Sequence, residues 1–277
     1  MIDLLGKPVI QSLKISIKEK REKLTNLGIT PKLVIILYNT SLDDIAYKEA
    51  LLKKCLKYDI VCDVFDCKTR EEFIANLNKS NEDKNVDGII VMGKRDSLTD
   101  IYLKSNIDEK KDVDGIGYLN MARLYSSEKT IIPCTAEAVL KLLDYYNVKL
   151  DGKKVTVIGR SNIIGKPLFM SLLNRGATVT VCHSHTVDLK YHCKEADVLC
   201  CAIGKPKFIN SLYVNKDMTI IDVGINVDED GKICGDVDYE DVFEKVKAIT
   251  PVPGGVGIIT NTILIEHVVD LAMNRIK

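Results

Sequence analysis

The 277-residue chain is 46% hydrophobic and 28% charged, enough apolar material for a sizeable core in one or two globular domains. Its 39 Lys and Arg balance 39 Asp and Glu, so no global field draws it to a nucleic acid or an acidic membrane. No apolar run spans a bilayer and no cationic, then apolar, leader is visible, so a cytosolic protein is expected.

The elements follow in chain order. An amphipathic helix over 8–27 ends at Gly28, a residue suited to the left-handed turn after a helix. The run 33-LVIILY-38 reads as a buried strand. The segment 39–58 opens with capping residues and acids and continues in good helix formers. A strand is expected over 60–66, a helix capped by Thr69 over 70–78, and a strand over 86-VDGIIVM-92. Strands separated by helices make this an α/β block. Residues 106–135 loosen into a loop-rich stretch suited to a domain junction. After a helix over 136–147 comes a second series: strand 155–159, a helix opening near Gly165, strand 178–183, a short helix, then strands 198–204 and 218–225. The last 21 residues, from Gly257, read as one long helix.

Nine cysteines (Cys55, Cys62, Cys67, Cys134, Cys182, Cys193, Cys200, Cys201 and Cys234) lack C-x-x-C spacing and read as buried, reduced thiols. Cys182, His183, His185, His192 and Cys193 are close in sequence, but no second pair follows at zinc-ligand spacing. No metal is expected.

The stretch 155-VTVIGRSNIIGKP-167 is a strand, a turn and a helix, the context in which a dinucleotide motif carries meaning. Gly159 suits the exit from the strand and Gly165 a close helix–sheet contact, although the spacing departs from G-x-G-x-x-G. An NAD-selective site often ends its second strand with an acid that holds the ribose 2′-hydroxyl. Here that strand runs into 182-CHSH-185. Arg160 and Ser184, with His183 beside them, offer a cation and a hydroxyl to a 2′-phosphate, which favours NADP. A solvated turn arginine and an ordinary loop serine are the plainer alternative.

The segments 111-KDVDG-115, 159-GRSNIIGKPL-168, 177-ATVTVCHSHT-186, 220-IIDVGIN-226 and 250-TPVPGGVG-257, in this order along nearly the whole chain, resemble the signatures of the FolD family of methylenetetrahydrofolate dehydrogenases/methenyltetrahydrofolate cyclohydrolases. The resemblance implies a two-domain α/β protein: a folate-binding catalytic domain over 1–120, joined by the C-terminal helix 256–277, and a Rossmann-like NADP-binding domain over 121–255. It also implies a cleft between them and a homodimer. The family reaction of one-carbon metabolism oxidises 5,10-methylenetetrahydrofolate with NADP and then hydrolyses the methenyl product to 10-formyltetrahydrofolate. By the same resemblance, Gly159, Arg160, Ser161, Gly165, Ser184 and Ile225 contact the cofactor. Tyr47, Asp114, Pro253, Gly254 and Gly255 line the tetrahydrofolate site, Tyr47 and Asp114 being catalytic.

Two positions depart from the family pattern. The family's Y-x-x-x-K places tyrosine and lysine one turn apart on a helix, but 47-YKEAL-51 ends in Leu51. Met92 stands where the family glutamine would meet that lysine. Leucine handles no proton, so hydrolysis is in question while hydride transfer, which needs chiefly positioning, is less exposed. Lys54 and Lys94 are the candidate replacements, each with a surface-lysine alternative. A dehydrogenase acting on another small substrate and a non-catalytic folate- or NADP-binding protein are the competing functions.

Overall fold

The computed structural model describes residues 2–276. Strand β1 (Ile2–Asp3) and helix α1 (Gly6–Asn26) come first. At α1's end Gly28 sits at φ +68°, and its amide and that of Ile29 return to the carbonyls of Thr25 and Leu24. Strand β2 (Lys32–Tyr38) is apolar from Leu33 on because it is central, paired in parallel on both edges, and buried from Leu33 to Tyr38. Helix α2 (Leu42–Lys57) begins at a capping box in which Ser41 and Asp44 satisfy each other's amides, a device contributing about 1 kcal/mol. Strand β3 (Val61–Cys67), helix α3 (Arg70–Glu82, capped by Thr69), strand β4 (Gly88–Met92) and helices α4 (Ser97–Asn106) and α5 (Tyr118–Tyr125) follow. The sheet order is β3-β2-β4, all parallel. Under it Val34, Ile36, Phe73, Leu77, Ile89 and Leu103 form one apolar cluster.

The second series runs α6 (Cys134–Tyr145), β5 (Lys154–Ile158), α7 (Gly165–Leu173), β6 (Thr178–Cys182), α8 (Leu189–Lys194), β7 (Val198–Cys201) and β8 (Thr219–Asp222). A short antiparallel pair, β9 (Asn226–Val227) and β10 (Ile233–Cys234), helix α9 (Tyr239–Val242), strand β11 (Ala248–Ile249) and helix α10 (Gly257–Met273) complete the chain. The larger sheet is six-stranded and parallel in the order β1-β11-β8-β7-β5-β6. Winding reverses at β5, which has β6 on one side and β7 on the other, so the topological switch point lies between β5 and β7.

Two compact units result, one combining Met1–Ser12 with Pro133–Thr260, the other Leu13–Ile132 with Asn261–Lys277. The sequence expectation put residues 1–12 with the first domain. In the structure β1 pairs with β11 on the six-stranded sheet, a contact that two residues of strand could not announce. The expected loop at 106–135 also contains α5, and α4 precedes it. Among the described residues, no helix is long and apolar enough to cross a membrane.

Candidate active site

The turn after β5 lies at the switch point, where open parallel sheets bind ligands. Gly159 adopts φ +126°, and a side chain there would meet the Ala202 carbonyl oxygen at 2.3 Å. A Cβ on Gly165 would meet the Gly159 carbonyl oxygen at 2.3 Å, so α7 starts hard against the turn. Ser161 is exposed, and its hydroxyl accepts from the amides of Ile164 (3.1 Å) and Gly165 (3.3 Å), fixing the loop that leads into α7.

Ile158 pairs with Cys182, and the Gly159 amide donates to the Cys182 carbonyl, so residues 159–160 and 183–184 leave the sheet side by side. Burial, then the charge of Arg160, then His185, lowers the His183 pKa. The His183 Nδ1 accepts the His185 amide at 3.1 Å, and its own amide donates to Thr186 Oγ1. Arg160 and Ser184 are both exposed. The sequence-chosen cation and hydroxyl are thus brought to neighbouring strand tips with an imidazole between them. Glycines that leave no room for a Cβ, beside a cationic tip lacking a carboxylate at the end of β6, suit a phosphorylated dinucleotide.

One pair that sequence reading missed organises the far side of this sheet. Asp222, at the end of β8, accepts from the amides of Gly224, Asp236 and Val237 at 2.9–3.0 Å. Asp236 accepts from Ile203, Gly204, Lys205 and the Asn226 side chain. The two interlock through glycines: a Cβ at Gly235 would strike the Asp222 carboxylate and one at Gly224 the Asp236 carboxylate. Burial pushes the Asp222 carboxyl up to about 7 against the pull of those amides. Ile225, the last residue of this loop, is exposed. The sequence signal available was an Asp-x-Gly at a strand end answered by Gly-Asp in 235–236.

In 250-TPVPGGVG-257 the Val252–Pro253 bond is cis, and Gly254 stands at φ +113° with its carbonyl accepting the Gly6 amide. Gly255 has no room for a side chain beside the Pro251 carbonyl, and its own carbonyl approaches the Cβ position of Gly6. Bare backbone is therefore a packing requirement on this segment.

In the other unit, Tyr47 lies half-buried on α2, and Leu51, one turn on, is fully buried. The Lys54 ammonium donates to Thr262 Oγ1 on α10 at 3.2 Å. Burial, followed by Lys14 and Lys57, lowers its pKa. Met92 is buried at the end of β4, and Gly93, at φ +103°, fits where a Cβ would collide with the Tyr38 carbonyl. Lys94 is exposed, with its amide tied to the Asn39 carbonyl.

In the 111–115 segment, Lys111 donates to the carbonyls of Ser80, Asn81 and Asp83 at the end of α3. Asp112 is buried and accepts from Ile116, Gly117 and the Asn120 side chain, so burial raises its pKa while those donors lower it. Both are structural. Asp114, half-exposed, is the acid of this segment left at the surface.

Residues 133–276 match the family model described as tetrahydrofolate dehydrogenase/cyclohydrolase, NAD(P)-binding domain, and residues 4–114 match that of the catalytic domain. The "Bifunctional protein FolD" of Clostridium botulinum (strain Langeland) is 43% identical over 274 residues, covering 97% of each chain. Among solved structures, the bifunctional methylenetetrahydrofolate dehydrogenase/cyclohydrolase from Campylobacter jejuni superposes with a TM-score of 0.95 at 38% identity, covering 99% of each chain. The Trypanosoma brucei dehydrogenase-cyclohydrolase, solved with NADP cofactor and an inhibitor, gives 0.91 at 27% identity, covering 100% of this chain and 99% of its own.

Proposed function

The chain belongs to the tetrahydrofolate dehydrogenase/cyclohydrolase family, and from that premise we propose that it oxidises 5,10-methylenetetrahydrofolate to the 5,10-methenyl form with NADP. When bound, NADP supplies the carbon that accepts the hydride. The folate's bridging carbon gives up a hydrogen with its electron pair, and the flanking nitrogens share the remaining positive charge. No protein group need remove a proton, so the residues work chiefly by holding.

On this reading Arg160 and Ser184 hold the 2′-phosphate, Gly159, Ser161 and Gly165 shape the turn, and Ile225 flanks the cofactor. Tyr47, Asp114 and the Pro253–Gly255 backbone orient the pterin. The cofactor role falls to the unit containing Pro133–Thr260 and the folate role chiefly to the one containing Leu13–Ile132. The observation that carries the choice of NADP is the in-register pairing of β5 with β6, which sets Arg160 beside the 183–184 tip with no carboxylate ending β6.

Hydrolysis is proposed as the weaker activity, because water attack wants a proton-handling group and Leu51 and Met92 are buried apolar side chains. Lys54 is our candidate to replace the family lysine. It is half-buried, its pKa is lowered, and it follows Tyr47 by two helical turns, about 10 Å of rise. Lys94, exposed, has less to recommend it. Supplying methylenetetrahydrofolate and NADP to one preparation and following methenyl absorbance as it appears and decays tests both steps. Absence of any methenyl signal with either NADP or NAD overturns the assignment.

We also propose a homodimer free in the cytosol. Strand β3 is an edge strand with Val61 and Val64 exposed, and Leu42, Ile45 and Leu56 of α2 are exposed too.

A further inference from the structure

Helix α10 carries a buried histidine that the proposed chemistry does not use. His267 is 3% exposed, and its Nδ1 lies 2.7 Å from the backbone carbonyl oxygen of Val113. A carbonyl only accepts, so Nδ1 bears the proton and the ring is the donor. The two residues are 154 positions apart in the chain.

Val113 stands between the structural Asp112 and the surface acid Asp114. Its carbonyl belongs to the same planar peptide as the Asp114 amide, so a bond that fixes the oxygen fixes the plane and with it the direction of the Asp114 N–Cα bond. The preceding positions are held separately. The Lys111 carbonyl accepts the Ile89 amide at 2.6 Å, the Lys111 ammonium caps α3, and Asp112 clamps the turn that follows. The peptide that carries the Asp114 amide is held at both ends, its N–H by the Asp112 carboxylate and its carbonyl by His267 from α10.

Packing gives a second line of support. A Cβ on Gly88 of β4 would lie 2.5 Å from Val113 Cγ1 and 3.2 Å from Val268 Cγ2. The bare backbone of Gly88 therefore lets the 113 side chain and the residue after His267 close on one spot, setting the imidazole over the carbonyl.

We infer that His267 is a positioning residue: through the Val113 carbonyl it holds Asp114 in the direction needed to bind the folate ring. The inference rests on the reading of Asp114 as the folate-binding acid. It identifies a determinant of folate affinity on α10, in neither the cofactor turn nor the 111–115 segment.

The test uses His267→Leu, which fills the space without a donor, and His267→Asn, which keeps an N–H near the Nδ1 position. His267→Leu should raise KM for methylenetetrahydrofolate at least tenfold while leaving KM for NADP within twofold, and His267→Asn should recover most of that loss. Should His267→Leu fail to fold, His267→Gln, whose amide reaches past the Nδ1 position, takes its place. A purely structural histidine would lower the melting temperature and the active fraction without separating the two KM values. That outcome, or an unchanged folate KM in folded His267→Leu, overturns the inference.

Asp114→Ala separates this failure from failure of the underlying reading. If Asp114→Ala leaves folate KM unchanged, the reading of Asp114 is wrong and the inference falls with it. If Asp114→Ala raises KM and His267→Leu raises it further by the same factor in that background, Asp114 stands and only the positioning role is lost. A His267→Leu effect that disappears in the Asp114→Ala background is the expected result.

Discussion

At the scale of single residues, the cofactor preference and the hydrolytic step are each proposed to depend on one cation. Arg160 is exposed and acts on His183 across paired strand tips, so Arg160→Ala should remove a charge-assisted contact of about 1.5–3 kcal/mol. KM for NADP should rise roughly 10- to 150-fold with that for NAD nearly unchanged, as initial rates with each nucleotide will report. An equal rise for both nucleotides would show Arg160 acting on something other than the 2′-phosphate. The Lys54 pKa is lowered chiefly by burial, so its neutral form is reached at a lower pH than for a free lysine. If the neutral amine assists water attack, hydrolysis should climb with pH through that lowered pKa. Lys54→Met should then flatten the profile and slow hydrolysis by about a hundredfold, with dehydrogenation little changed. Lys94→Met, at an exposed side chain, should alter neither rate. Unaltered hydrolysis in Lys54→Met ends the case for a relocated lysine. Leu51 and Met92 were readable as losses from sequence because a helix spacing and a strand end fixed where their counterparts should stand. The Lys54–Thr262 bond was not, since its partner lies 208 positions away.

Among the elements, the end of β8 is where a buried charge meets the architecture. Burial pushes Asp222 up to about 7, whereas in an unfolded chain an aspartate titrates near 3.9. A folded pKa above the unfolded one means that the folded state binds the proton more tightly. The stability this group contributes is therefore complete below about pH 4 and is lost as pH rises through about 7. Asp222→Asn cannot ionise but turns an amide group toward one of the three backbone donors, so it should cost about 1–3 kcal/mol at pH 5. That deficit should shrink by pH 8, where the wild type has surrendered its own contribution. Calorimetric unfolding at pH 5, 6.5 and 8 measures the difference, and a deficit constant with pH would contradict a raised Asp222. The same region shows which elements a sequence reveals. The buried strands β2, β5 and β8 and the capped helices α2 and α3 were legible because runs of apolar residues and Ser41 or Thr69 marked them. Strands β1, β9, β10 and β11 are two residues each and carry no period. Helix α5 was read as loop because it buries only Asn120 and Leu124 and follows a glycine-rich turn. The Asp222–Asp236 interlock depends on tertiary register, so its glycines could be seen while their purpose could not.

For the whole molecule, the remaining question is what covers the free edge of the three-stranded sheet. Among the described residues strand β3 pairs only with β2, leaving its outer amides and carbonyls without a strand partner there, and its exposed Val61 and Val64 sit on a strand that carries no proline. Natural sheets usually blunt such an edge with charge, a bulge or a covering element. Asp63 and Asp66 supply some charge, but Asp63 is already paired with Lys32 and Asp66 with Lys68. A second copy would satisfy the edge by antiparallel pairing about a twofold axis, which sets each Val64 near its symmetry mate's strand and brings the exposed Leu42, Ile45 and Leu56 faces of α2 into reach of the same interface. A stable contact of this kind needs about 1,200–2,000 Å² in total, more than one seven-residue strand can supply, which is why the α2 residues matter to the argument. Val64→Lys places a cation on that edge in both copies, so like charges would face one another without solvent to screen them. Sedimentation velocity should show a dimer for the wild type and a monomer for Val64→Lys, with thermal unfolding measured alongside because Val64 is in register with the buried Ile35 on β2. A dimer that survives Val64→Lys unweakened would place the interface on another face. A wild type that sediments as a monomer at micromolar concentration would leave the edge to be protected by Asp63 and Asp66 alone.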